Sequence, residues 1–449
     1  MHAREGSANV GQVDDSSVET SAPAPSSATI VGRFGWGIAD QVLSSITNFA
    51  LGFLVARAVS PRDFGAFSVA YLTYSLGLGA ARAFSTEPLV IRFSAAKYER
   101  WRQGTSQATG ASLAAGLAIG GACVVVGVLA QGPMGSAFLI LGLFFGPLLL
   151  QDAWRFAFFA RGSGHQAFLN DVVWTVLLFP PLVLLIRFGT PSVTALVVVW
   201  AAAGTGAALF GLLQARIIPD PMGTVRWIRE QRDLASRFVT EFGVSSGGNQ
   251  LGLYLVGAIA GLAELGVLRA GLLLLGPLNL LFIGAGLVAV PEGVRLLERS
   301  PSSLRSASNI ISAILAASAL LWGMVVAAVP DRIGTQLLGE NWAGGRSVVL
   351  PLSIVLAAGG FVLGRATAVR ALGAAGISLR ARSIDTLLQL SGTVTGVLIA
   401  GAVGAAWGAA TAALLRLPNW LWYSNKAFSD YRRPLVENAS SPTESERDG

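Results

Sequence analysis

Apolar residues along this chain come in long runs, not at the intervals that mark elements with one face in water. Twelve runs stand out, at roughly 34–56, 64–84, 107–130, 134–153, 168–187, 192–214, 236–258, 264–289, 307–329, 347–368, 384–402 and 404–424. Each is close to the ~20 residues that a helix needs to cross the hydrocarbon of a bilayer. The pattern predicts an all-α polytopic membrane protein of about twelve transmembrane helices. Two joints are short: Gln131, Gly132 and Pro133 divide the third and fourth runs, and about one residue divides the last two.

The polar residues inside the runs repeat. With a shift of 201 residues, Asp40 falls on Glu241, Ser44 on Ser245, Ser45 on Ser246, Asn48 on Asn249, Asp63 on Glu264 and Gly65 on Gly266. Matched polar or glycine pairs at one offset, in an apolar background, predict two six-helix bundles. An even number of helices per bundle gives both the same orientation, so the pseudo-two-fold runs along the membrane normal. The expected divisions are a disordered tail at 1–32, a first bundle at 33–215, a basic linker at 216–235, a second bundle at 236–424 and a disordered tail at 425–449.

Composition and charge then set orientation and exclude classes. Of 449 residues, 53% are hydrophobic and 13% charged, too few charges to cover a water-facing surface. The net charge of +7 comes almost wholly from arginine, Lys97 and Lys426 being the lysines. With the N-terminus inside, the inner connections collect the arginines of 82–106, 215–237 and 292–305. The outer ones hold only Arg57, Arg62, Arg187, Arg332 and Arg346. That bias predicts cytoplasmic termini. The single cysteine, Cys123, and the two histidines, His2 and His165, give no metal site or nucleophilic triad, and no phosphate-binding loop is present. No resident metal or cofactor is expected.

The candidate chemistry is therefore polar groups at membrane depth, which need partners or a wet cavity. Asp40, Ser44 and Asn48, four apart, form one stripe on the first helix, and Glu241, Ser245 and Asn249 form its mate on the seventh. The hydroxyl and amide groups line a central path or act as interhelical glue. The two carboxylates, Asp40 and Glu241, serve as coupling groups for a proton or sodium ion, or as counter-ions to arginines. Arg269 and Arg416 lie inside apolar runs, where a charge facing lipid costs about 2.5–3.5 kcal/mol. They are expected to line the cavity and hold an anionic headgroup, guanidinium being matched to phosphate, unless they pair with Asp40, Glu241 or Glu264. The stretch 82–106, mixing Arg, Lys, Phe, Tyr and Trp, is expected either to lie at the lipid headgroups or to form a solvated loop.

The segment ADQVLSSITNFALGFLVARAVSPRDFGAFSVAYL (39–72) resembles the opening of polysaccharide flippases of the multidrug/oligosaccharidyl-lipid/polysaccharide exporter superfamily. A polar first helix ends in an Asn, and a connection of the form ARxVSPxDFGxFSVA leads into the second. The resemblance implies a cationic cavity between two bundles and alternating access. It also implies transfer of a polyprenyl-diphosphate-linked oligosaccharide from the inner to the outer leaflet of the bacterial cytoplasmic membrane for cell-surface polysaccharide synthesis. Membrane lipids and a polysaccharide polymerase or export proteins would be its partners, and nucleic acid would not. Lipid II flippases of the superfamily carry two further helices, for which there is no room after 424. The main rival is a cation-coupled multidrug exporter of the same superfamily. A glycan polymerase or glycosyltransferase fits less well, because the longest outer connection, 330–346, offers only Asp331 and Glu340 and no histidine.

Overall fold

The computed structural model describes residues 27–372 and 375–440. The tails at 1–26 and 441–449 lie outside the described residues, as do the side chains of 27–34, 244–249, 280, 287–288, 290–291, 375–379 and 432–440. All regular structure among the described residues is helical. The first bundle comprises α1 (Ser27–Ala58), α2 (Pro61–Ala81), α3 (Glu87–Phe93), α4 (Tyr98–Leu129), α5 (Gly132–Ala160), α6 (Gly164–Phe188) and α7 (Val193–Ala215). The short α8 (Thr224–Glu230) leads to the second bundle: α9 (Arg232–Ala260), α10 (Leu262–Leu274), α11 (Gly276–Arg299), α12 (Pro301–Ala328), α13 (Asp331–Leu338), α14 (Asn341–Ala371) and α15 (Ala375–Ser440).

Local chemistry sets the breaks. Ser60 caps α2, its hydroxyl oxygen accepting the Asp63 N–H at 3.2 Å while Pro61 takes the first helical position. Ser192 and Ser300 cap α7 and α12 in the same way. Both short joints are real. Gly132, at φ 72°, turns α4 into α5, and α15 leaves helical geometry at Ala400 and Gly401, the latter at φ 55°. A side chain on Gly401 would also meet the Glu264 carboxylate, at 2.5 Å from its Cβ.

Nine helices among the described residues are long and apolar enough to cross a membrane, or ten with α10 and α11 taken as one bent span. The eighth predicted span is thus not one straight helix. It bends by 58° after Leu274, where Pro277 in the first turn of α11 lacks an N–H to continue the ladder. The seventh, α9, carries Arg232, Asp233, Arg237 and Glu241 in its first three turns, and its apolar part among the described residues is Gln250–Ala260. Helix also begins at Ser27 and runs to Ser440, past the limits set at 33 and 424.

The stretch 82–106 is mostly helical rather than a loop, buried at its two ends and exposed over most of 91–100. A π-helical turn at Arg82–Thr86 joins α2 to α3, and only residues 94–97 separate α3 from α4. Trp101 is buried, and the Arg161 guanidinium stacks over it and over Tyr98 at 5.0 and 4.9 Å. The linker is likewise folded onto the first bundle. Trp227 is buried and donates its Nε1–H to the Phe84 carbonyl at 3.0 Å, and the Asp220 N–H donates to Ser106 O at 2.9 Å.

The bundles meet at one end through the repeat mates themselves. A Cβ on Gly65 would stand 1.8 Å from Leu262 O, and one on Gly266 would stand 2.0 Å from Pro61 O. Only glycine at both positions lets α2 and α10 approach this closely. Beside this contact, Asn341 Nδ2 donates to Ala56 O and Val59 O at 2.6 and 2.8 Å, capping the end of α1 from the opposite bundle. Glu264 accepts the Ala402 N–H at 2.6 Å, anchoring the second half of α15 to α10.

Candidate functional site

Among the described residues, three polar regions stand out within the helices. The first is a closed charge cluster in the first bundle. Arg155 on α5 binds Asp40 of α1, Asp171 of α6 at 3.0 Å and, one turn away, Asp152 at 3.3 Å. Arg82, at the π-helical turn, holds Asp152 through two parallel bonds of 2.6 and 2.7 Å. Gln151 Nε2 donates to Asn170 Oδ1 and Asp171 Oδ1, both at 3.0 Å. Asp40 is therefore an ion-pair partner, and Arg155, just past the fourth apolar run, is its counter-ion. Three carboxylates face two guanidinia here. Beside them is a cavity of 20 Å³ lined by Ser44, Thr47, Asn48, Asp171 and Thr175, enough for about one water molecule.

The second region is a cavity of about 570 Å³ between the bundles, within the usual range of ligand pockets. Its walls come from α1 and α2 on one side and from α10, α11 and α14 on the other. Ser45, Asn48, Ser68, Tyr71 and Asn279 supply polar groups among Phe49, Phe64, Phe67 and leucines. The one charge among the described lining residues is Arg269, with its guanidinium 6.0 Å from the Tyr71 ring centroid. Arg269 makes no salt bridge among the described residues, and its buried Nε has no hydrogen-bond partner. Tyr71 is fixed by packing on Trp200, and Trp200 also packs on Tyr74 and Phe67.

The third region, of about 240 Å³, lies inside the second bundle between α14 and the two halves of α15, and it holds Arg416 with Arg382, Asp385 and Gln389. Arg416 is thus separated from Arg269 by α14. Leu356 of that helix lines the central cavity, while Gly359, one turn on, lines this pocket.

The sequence candidates divide accordingly. Asn48 and Arg269 reach the central cavity, Asn48 touching the small cavity as well; Ser44 faces the charge cluster instead. Glu241 is exposed on α9 and does not share the buried setting of its repeat mate Asp40. The side chains of Ser245 and Asn249 lie outside the described residues. Sequence reasoning missed Tyr71 and Asn279 in the cavity lining and Arg155 as the partner of Asp40, while Asp152 and Asp171, at span ends beside arginines, are the ion-pair members their setting suggests. Arg155 and Asp171 sit in or beside apolar runs, and their spacing from Asp40 along the chain carries no sign of contact.

No protein-family profile matches the chain, and no curated protein matches it by sequence. Solved structures do match. An inward-facing multidrug resistance MATE family transporter of the MOP superfamily aligns with TM-score 0.65 at 14% identity, over 87% of this chain and 95% of that one. The lipid II flippase MurJ in an inward closed conformation aligns with TM-score 0.64 at 12% identity, over 89% and 90%. An outward-facing MATE family transporter aligns with TM-score 0.54 at 13% identity, over 90% and 96%. The chain has the polytopic all-helical fold that these MOP-superfamily transporters share.

Proposed function

We propose that this protein is a flippase that moves a polyprenyl-diphosphate-linked oligosaccharide across the bacterial cytoplasmic membrane by alternating access, for cell-surface polysaccharide synthesis. The observation that carries the reading is Arg269: a guanidinium without a salt bridge among the described residues, in a cavity between the bundles whose described lining contains no carboxylate. A desolvated arginine facing an apolar-walled space favours an anionic group there, and its planar fork suits a phosphate. The phenylalanine and leucine walls suit the first isoprene units of a lipid tail. With both termini cytoplasmic, as the arginine distribution suggests, the Gly65–Gly266 contact lies at the outer end. The higher TM-score against the inward-facing than the outward-facing MATE structure agrees with closure there.

The rival reading is cation-coupled export of lipophilic cations. It draws support from the MATE structures and from the excess carboxylate in the Asp40–Arg155–Asp171 cluster, where a proton or sodium ion would restore neutrality. Its substrate would have to enter a cavity that carries a positive charge, which disfavours it.

Depletion of the protein, followed by mass spectrometry of extracted lipids, separates the two. A defined polyprenyl-diphosphate glycan is expected to accumulate and to clear on re-expression, but not on re-expression of Arg269→Ala at wild-type abundance. Sensitivity to cationic dyes without glycan accumulation would support the exporter.

A further inference from the structure

The two bundles are repeats, yet their buried polar clusters carry opposite charge. In the first bundle Asp40, Asp152 and Asp171 outnumber Arg82 and Arg155, and the ions close on one another, leaving a 20 Å³ cavity beside them. In the second, Arg382 and Arg416 outnumber Asp385, and a cavity of about 240 Å³ remains. A single water needs about 10–15 Å³. The first cavity fits a water molecule; the second is built on a larger scale.

The groups around the second cavity are not satisfied by one another. Neither Arg382 nor Arg416 makes a salt bridge among the described residues, and the buried Nε of Arg416 has no hydrogen-bond partner. Asp385 accepts the Trp420 Nε1–H through Oδ2 at 2.5 Å and has the Asn419 amide beside it, while among the described residues no partner lies within bonding distance of its Oδ1 or of Gln389 Oε1. Unused donors and unused acceptors thus face the same space. Buried polar atoms in native proteins rarely stay unpaired, each costing about 1–3 kcal/mol.

The pocket is not a by-product of arginines reaching for headgroups. Leu387 on the first half of α15 and Leu414 on the second are exposed, lying on the helix faces opposite those of Asp385 and Arg416. The guanidinia therefore point into the bundle. Arg416 comes within 3.6 Å of where a Cβ on Gly359 would stand, so α14 leaves room for it.

We infer that this pocket binds a phosphodiester flanked by hydroxyl groups. The monoanion balances the excess of one positive charge. Its oxygens pair with the two guanidiniums, which are matched to phosphate geometry, and the hydroxyls donate to Asp385 Oδ1 and Gln389 Oε1. Two arginines against one carboxylate disfavour a metal cation in the same space. The site is separate from the central cavity and stands whether or not the transport reading holds. Its ligand comes either from the headgroup of an anionic polyol phospholipid or from a soluble polyol phosphodiester.

The test uses full-length protein in a neutral detergent and native mass spectrometry. Titrants are phosphatidylglycerol, phosphatidylmethanol (same charge, no hydroxyls), phosphatidylcholine and soluble glycerophosphoglycerol. One saturable phosphatidylglycerol adduct is expected, preferred over phosphatidylmethanol and phosphatidylcholine. Arg416→Gln is expected to weaken it at least about tenfold, the loss of one charge-assisted contact, and Arg416→Lys to weaken it less. Gln389→Leu is expected to remove the preference for phosphatidylglycerol over phosphatidylmethanol. The titrations are run in an Arg269→Gln background, so that the central cavity, with its one described charge removed, contributes no adduct. Equal binding of glycerophosphoglycerol assigns the site to the soluble ligand, and lipid binding alone assigns it to a headgroup. The inference is overturned if no phosphodiester saturates in the Arg269→Gln background, or if Arg269→Gln and Arg269→Gln/Arg416→Gln bind alike while both remain folded by thermal melting.

Discussion

Gly65 and Gly266 face each other with no room for a side chain: the ideal Cβ of each lies 3.2 Å from the backbone nitrogen of the other. They fall on each other at the 201-residue offset in the sequence, and the contact joins α2 to α10. Gly65→Ala would put its new methyl 1.8 Å from Leu262 O, a backbone atom that cannot swing aside. The expected outcome is separation of the bundles at that end. In a Cys123→Ser background, a cysteine placed at Ser45 in the central cavity should react faster with an impermeant maleimide added from that side. Unchanged labelling in Gly65→Ala and Gly266→Ala would remove the contact from any gating role.

Asp40 and Arg155 are joined across 115 residues inside the first bundle, with relative side-chain exposures of 2% and 9%. Removing one member of a buried ion cluster costs about 3–5 kcal/mol when it strands charge. Arg155→Gln strands two carboxylates, Asp40 and Asp171, since Asp152 keeps Arg82. Asp40→Asn leaves Arg155 with two acidic partners. Thermal unfolding in one detergent is therefore expected to fall much further for Arg155→Gln than for Asp40→Asn. Equal losses would contradict this arrangement.

How much of this was legible in the sequence follows from which signals are local. Helices, breaks and the repeat are local in chain: Ser60-Pro61, Gly132 and Gly401 announce their turns, and Gly65 and Gly266 announce each other. Arg269 was legible because a charge in an apolar run must have a reason. What an arginine meets across the bundle was not. Arg416 and Arg269 look equivalent in sequence, yet α14 stands between them, and Asp40 reads as a coupling group or a counter-ion until Arg155 is placed beside it. The bend between α10 and α11 lies within an apolar stretch where Gly276 and Pro277 were the available hint.

Asn341 carries a second prediction about the bundle contact. Its side-chain amide supplies donors to Ala56 O and Val59 O, carbonyls at the end of α1 that have no helical partner. Asn341 is 1% exposed, so Asn341→Ala leaves them short of a donor with little water to replace it. A cost of about 1–3 kcal/mol is expected, falling on the closed arrangement of the bundles rather than on either bundle alone. Faster labelling at Ser45, with a thermal transition lowered by only a few degrees, is the expected combination. Loss of stability without faster labelling would place the effect inside one bundle.

Asp331, in the connection between α12 and α14, gives a pH prediction outside the membrane spans. Its carboxylate accepts from Trp342 Nε1 at 2.9 Å and from Arg346 Nη1 at 2.6 Å, and these bonds hold its pKa below the usual carboxylate value. A carboxylate with a depressed folded pKa contributes stability at pH values above its ordinary pKa. That contribution fades as the pH falls from there through the folded value. The group is exposed, so the effect is local: protonation releases Trp342, which is buried against Gly334 of α13. Protease protection of the 330–341 segment is expected to hold at neutral pH and to weaken below about pH 4, the ordinary aspartate value. Asp331→Asn should show the weakened protection at every pH, because an amide keeps only part of the bond to Arg346. If protection in that variant still drops with acid as it does in wild type, another group controls the segment.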